Sequence, residues 1–110
     1  MKHADSQSRK WLLTINNPIE KGVTNESIVS TIETNLKSTL YACWSQEVGG
    51  EEGTHHIHIY LHFKSPIRFS TIKNHFPAAH IDKVRGTPQQ NRDYVFKEGK
   101  WAESTKSETK

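Results

Sequence analysis

Between Thr54 and Phe63 the chain reads THHIHIYLHF, where Ile57, Ile59, Leu61 and Phe63 alternate with His56, His58, Tyr60 and His62. A period of two predicts a strand with one face buried and the other available. RKWLLTIN (9–16) predicts a first strand, with Trp11, Leu13 and Ile15 on one face. TLYACWSQE (39–47) predicts another, and the glycine-rich VGGEEGT links it to the histidine strand as a hairpin. AHIDKV (79–84) predicts a short fourth strand, whereas SPIRF breaks the pattern of the third. Between the first two strands NPIEKGV reads as a turn. Ile28, Ile32, Leu36 and Leu40, with Val29 beside them, then form an apolar helical stripe. Thr24 or Asn25 caps that helix, and Glu26 falls in its first turn. STIKNHF predicts a short helix with Ser70 as cap and Ile72 and Phe76 facing inward. In GTPQQNRDYVFKEGK, Thr87 is the N-cap, Pro88 the first helical residue, Gln90 the capping-box partner and Gly99 the helix end. The order β-α-β-β-α-β-α predicts an α+β fold. It is an antiparallel sheet of about five strands with helices returning on one side, related to the ferredoxin-like plan.

At 110 residues the chain fits one domain. Residues 1–8 and 102–110 are polar, and we expect a disordered N-terminus and a linker or tail on either side of a domain spanning 9–101. No window is apolar enough to span a membrane, and the N-terminus lacks the apolar core of a secretory signal. Cys43, the single cysteine, cannot form an internal disulfide and reads as a buried thiol. The net charge of +3 hides an asymmetry. Residues 64–100 carry eight Lys or Arg against three acidic residues, whereas residues 23–63 carry one Lys against five Glu. The basic half fits an anionic partner such as nucleic acid, or an ordinary solvated surface.

Two constellations carry chemistry. His56 and His58 are two apart on a strand, so they leave the same face with Cα atoms roughly 6.6 Å apart. Glu47, near the end of the neighbouring strand, is placed by the hairpin to join them. Two imidazoles and a carboxylate can hold one divalent ion and leave coordination positions open. The alternative is a half-exposed strand whose polar face happens to be histidine. His55 has the opposite parity, and His62 lies further along the strand. Tyr94 and Lys97 sit three apart in the capped helix and share a face. They are an exposed amphipathic pair, or a nucleophile beside a cation that favours the phenolate.

WLLTINNP, HHIHIYLHF and YVFKEG, in that order and with the flanks EVGGEEGTHH and RGTPQQNRDYVFKEG, resemble three motifs of one family. It comprises the N-terminal replication-initiator (Rep) domains of circular Rep-encoding single-stranded DNA viruses, circoviruses and their relatives, which are HUH endonucleases. The resemblance covers roughly residues 9–101. The second motif is His-x-His where many circoviruses have His-x-Gln, and Leu13 stands where the first motif usually has an aromatic residue. The helicase domain that normally follows is absent from these residues.

The resemblance implies nicking and joining of single-stranded DNA in the hairpin loop of a replication origin. It implies Mn2+ or Mg2+ held by Glu47, His56 and His58, although the ligand types equally suit Zn2+ or Fe2+. It makes Tyr94 the nucleophile that forms a 5′-phosphotyrosine and frees a 3′-hydroxyl. Lys97 then orients Tyr94 or steadies the phosphate. Thr14, Asn16 and Asn17 become candidates for contacting origin DNA or shaping the site, with strand-ending and turn formation as the other role for Asn17 and Pro18. Arg68, Lys73, Lys83, Arg85 and Arg92 are candidates for phosphate contacts. Further expectations are a C-terminal helicase domain in the full-length protein, a monomeric isolated domain, and a location in the host nucleus or, for a bacterial element, the cytoplasm. A noncatalytic RRM-like domain would share the fold, but it should expose aromatic residues on its central strands, where this chain has histidines. A phosphoesterase of the two-histidine-motif type needs a second such motif, for which HID at 80–82 is a poor substitute.

Overall fold

The computed structural model describes residues 6–49, 54–96 and 100–105; side chains at 47–49, 54, 94, 96 and 100–105 lie outside that description. In chain order the elements are β1 (Gln7–Asn16), a 3-10 turn (Ile19–Lys21), α1 (Asn25–Asn35), β2 (Thr39–Gly49) and β3 (Thr54–Arg68). They continue with α2 (Phe69–His75), β4 (His80–Lys83), α3 (Pro88–Phe96) and β5 (Lys100–Thr105). The strands form one sheet in the order β4-β1-β3-β2-β5, and every pair is antiparallel. β1–α1–β2 therefore crosses over β3, and β3–α2–β4 crosses over β1, which is the split arrangement of the ferredoxin-like plan. No helix among the described residues is long and apolar enough to cross a membrane.

The period of two sorts the sheet into two faces. Trp11, Leu13, Ile15, Ala42, Trp44, Ile57, Ile59, Leu61 and Phe63 point to one side and bury against Ile28, Ile32 and Leu36 of the α1 segment and Ile72 of α2. This is the main core. The opposite face holds a smaller cluster of Cys43, Tyr60 and Val95, with Leu12, Tyr41 and Val84 packed against it. Val95 belongs to α3, so this helix lies on the face away from α1 and α2. We expected all helices on one side; the apolar patch made by Leu12, Cys43 and Tyr60 draws α3 to the other.

Caps follow the sequence closely at α1 and α3. Thr24 caps α1, accepting from the Ser27 N–H while the Ser27 hydroxyl accepts from the Thr24 N–H. Thr87 and Gln90 exchange the same reciprocal pair at α3, at 2.9 and 3.1 Å. Gly99, expected to end α3, lies outside the described residues. Helix α2 starts two residues early, at Phe69, so Ser70 is not its cap; Arg68 holds that position with no side-chain cap bond.

Other boundaries also differ from expectation. Gln7 and Ser8 pair with Arg68 and Ile67 rather than belonging to a disordered end. β3 runs through Ser65 and Pro66 because a register shift opposite Ser8–Lys10 absorbs the proline, which has no N–H to donate. Residues 100–105 pair with Tyr41–Gln46 as β5, so strand structure continues past 102, where we expected a tail. Its order comes from backbone pairing with β2 rather than from an alternating apolar pattern of its own.

Candidate metal and nucleophile site

The antiparallel registers of β1, β2 and β3, with β4, set residues of one strand parity in rows across the sheet. One row runs Asn16, His56, Glu47, and the next runs His80, Thr14, His58, Ser45. A third runs Asp82, Leu12, Tyr60, Cys43, and a fourth runs Lys10, His62, Tyr41. Position along the strands therefore grades this face from polar at the His56 end to apolar beneath α3. His56 and His58 are half-buried. Their rings meet edge to face with centroids 5.1 Å apart. Glu47 is the register partner of His56 and shares the strand parity of Ser45 and Cys43. Its side chain lies outside the description, and among the described residues no three His, Cys, Asp or Glu groups gather as a metal cluster.

Hydrogen bonds tie the His58 row together. The Thr14 hydroxyl and His58 Nδ1 are 3.2 Å apart. With Nδ1 so engaged, Nε2 is the nitrogen suited to ligation. Two imidazoles leaving the same face, beside a carboxylate-bearing position in register, fit a first-row divalent ion. On the other side of His58, the buried Ser45 hydroxyl donates to the Val95 carbonyl oxygen. Val95 follows Tyr94 in sequence, so the α3 backbone at the tyrosine is fastened to the histidine row. The Tyr94 side chain lies outside the description, as does residue Lys97.

Tyr60, on the same face, is fully buried, and among the described residues its hydroxyl has no hydrogen-bond partner within bonding geometry. Asn91 is close enough to lower its pKa slightly, but both Asn91 amide hydrogens go to the Arg85 and Thr87 carbonyls. Burial, then the neighbouring Cys43, push the Tyr60 phenol up to about 12. A phenol held that firmly protonated is a poor nucleophile, so Tyr60 is set apart from Tyr94. At the far end of β3, burial and then the charges of Lys10 and Arg9 push His62 below the usual imidazole range. His55 is exposed and offers its backbone carbonyl to the Asn17 N–H.

The remaining candidates scatter. Thr14 and Asn16 lie in the histidine rows. Asn17 adopts a left-handed φ of 53° at the strand end, the conformation its residue type tolerates in turns. Arg68 ends β3 at the opposite end from His56. Lys73 is on α2, behind the sheet, where its ammonium donates to the Ala79 carbonyl. Lys83, Arg85 and Arg92 cluster in sequence around β4 and the start of α3. Two residues that shape the site, Ser45 and Tyr60, read in sequence as ordinary strand positions. Their signal is parity: both share the face of His58, and only the position of α3 reveals what they meet.

The family model described as "Putative viral replication protein" matches residues 8–98. The chain belongs to this family. Similar family members include the replication-associated protein of pigeon circovirus, 35% identical over 96 residues that cover 86% of this chain and 28% of that protein. The replication-associated protein of beak and feather disease virus is also 35% identical, over 86% of this chain and 30% of its own length. The master replication protein of banana bunchy top virus is 32% identical over 80% of this chain and 27% of its own length. The chain thus spans under a third of the length of these viral replication proteins. The three motifs that suggested Rep proteins fall within the matched residues, except for Gly99 at the end of the third.

Proposed function

We propose that this domain initiates viral DNA replication by nicking, and later rejoining, single-stranded origin DNA. The observation that carries the proposal is the Ser45 bridge. It fastens the α3 backbone beside Tyr94 to the row that holds His58, one row from His56 and Glu47. A nucleophile-bearing helix and a ligand-bearing strand are thereby held on one sheet face. Membership in a viral replication-protein family supports the biological role.

In this mechanism Glu47, His56 and His58 would hold Mn2+ or Mg2+, which would supply charge neutralisation and polarisation at the scissile phosphate. The Tyr94 oxygen attacks phosphorus in line, the bond from phosphorus to the 3′-oxygen breaks, and the phenol proton passes by way of solvent to that oxygen, which leaves as a hydroxyl. A 5′-phosphotyrosine keeps the energy of the broken phosphodiester, so attack by a 3′-hydroxyl reverses the step and joins strands. Lys97 orients Tyr94 or steadies the phosphate. Asn16, Lys83, Arg85 and Arg92 contact the DNA, with Asn17, Arg68 and Lys73 as outer candidates. Full-length partners would include a C-terminal helicase domain, the isolated domain would be a monomer, and the site of action would be the host nucleus.

The test is incubation with an origin hairpin-loop oligonucleotide and Mn2+, followed by denaturing electrophoresis. A DNA–protein adduct that survives SDS and vanishes in Tyr94→Phe is expected. Binding of single-stranded DNA with no adduct would favour the noncatalytic alternative, and cleavage persisting in Tyr94→Phe would remove Tyr94 as nucleophile.

A further inference from the structure

We propose that Thr14 is a positioning residue for the metal-binding pair: its hydroxyl oxygen accepts the Nδ1–H of His58 and fixes the tautomer that presents Nε2 as the ligand. The proposal rests on the metal site proposed above and gives Thr14 a role separate from touching DNA. Thr14 and His58 are register partners on adjacent strands, and the two side-chain atoms stand 3.2 Å apart. Cross-strand partners lie close enough for such a bond to form without bending either backbone.

The acceptor is rigid. β1 is paired on both sides, to β3 and to β4, so the Thr14 backbone is fixed by two ladders. A β-branched side chain adds a stiff χ1. Both described neighbours in the row have polar partners of their own. His80, beside Thr14 in the row, is exposed and sits 3.2 Å from Asp82. Ser45, on the other flank of His58, turns its hydroxyl hydrogen to Val95. The two hydroxyls of the row therefore have different tasks. Ser45 holds the helix, and Thr14 holds the imidazole.

Ligation through Nε2 requires one direction of this bond. A neutral imidazole carries one N–H and one lone pair. If Thr14 donated to Nδ1, the ring hydrogen would sit on Nε2 and block ligation. If Thr14 accepts from Nδ1–H, Nε2 keeps its lone pair for the metal. Partners of this kind commonly change metal affinity by roughly 10–100-fold when lost.

The experiment measures Mn2+ binding by calorimetry on the 110-residue chain without DNA, together with the His58 tautomer by long-range 15N–1H NMR of the metal-free protein. Thr14→Val keeps the shape and removes the hydroxyl; Thr14→Ser keeps the hydroxyl. Expected are a Mn2+ dissociation constant raised about tenfold and a lost Nδ1–H preference in Thr14→Val, with both restored in Thr14→Ser. Circular dichroism confirms that each variant is folded. Unchanged affinity and tautomer in Thr14→Val would overturn the proposal, as would equal losses in both variants, which would point to packing. If the unsubstituted chain binds no Mn2+, the metal site itself fails, and the tautomer then decides alone whether Thr14 orients His58.

Discussion

Ser45 on β2 donates its hydroxyl hydrogen to the carbonyl of Val95 on α3, and both residues are fully buried. Because Ser45 is also the register partner of His58, one side chain couples the helix that carries Tyr94 to the strand that carries the imidazoles.

Replacing Ser45 with Ala removes the donor and leaves a buried carbonyl short of a partner, a change that typically costs about 1–3 kcal/mol. Urea unfolding should show that loss. Adduct formation should fall about tenfold or more, because small displacements of a nucleophile are costly, while Mn2+ affinity stays unchanged. Wild-type stability in Ser45→Ala would mean that the bridge is not a structural tie.

Tyr60→Phe should behave in the opposite way. Its buried hydroxyl makes no hydrogen bond among the described residues, so the variant should be at least as stable as wild type at neutral pH and should still form the DNA adduct. Burial raises the phenol in the folded state to about 12 from its ordinary value of 10.0, so folding favours its neutral form. That contribution is complete below pH 10 and is lost as pH rises through about 12. Wild-type stability should therefore fall more steeply than that of Tyr60→Phe across this window, as measured by denaturant titration at each pH. Parallel curves would contradict the assignment.

Gly86 holds a φ of 91°, and a Cβ there would stand 2.6 Å from Gln90 Oε1. That oxygen accepts the Thr87 N–H in the α3 capping box. Gly86→Ala therefore combines backbone strain with a disturbed cap. We expect a loss of about 1–3 kcal/mol in chemical denaturation and an α3 that exchanges its amide hydrogens faster. Neither effect should appear in Gly22→Ala to the same extent, since nothing lies within 4 Å of a Cβ at Gly22 and only its φ of 77° opposes the change.

Mn2+ at 100 times its dissociation constant should stabilise the folded domain by about 2.7 kcal/mol, and chelation should reverse the gain. In a His56→Ala/His58→Ala variant the melting temperature should not respond to the ion. An equal response in both proteins would place the cation elsewhere.

The sequence makes the parts of this site visible and hides their assembly. Ile57, Ile59, Leu61 and Phe63 announce one buried face by alternation, and Thr87, Pro88 and Gln90 announce a helix start; both readings are local. Which residues share a row is decided by register between strands far apart in the chain, so the meeting of Thr14 with His58 could not be read from either segment. The side taken by α3 depended on a small apolar patch built from β1, β2 and β3 together. β5 escaped notice because an edge strand borrows its order from β2 instead of displaying an apolar pattern. Pro66 concealed the length of β3, since a register shift lets a strand pass through a residue that normally ends one.

The two halves of the proposed chemistry ride on parts of the fold with unequal local stability. His56 and His58 sit on β3, the innermost strand, laced by hydrogen bonds along both edges. They can separate only when the sheet itself comes apart. Helix α3 rests on the outer face through a small cluster and the Ser45 tie. It can lift while the sheet stays whole, because such partial openings cost less than global unfolding. In the proposed reaction the imidazoles would act as a fixed frame and Tyr94 as a hinged arm, an arrangement suited to gripping one DNA end covalently and later presenting it to another.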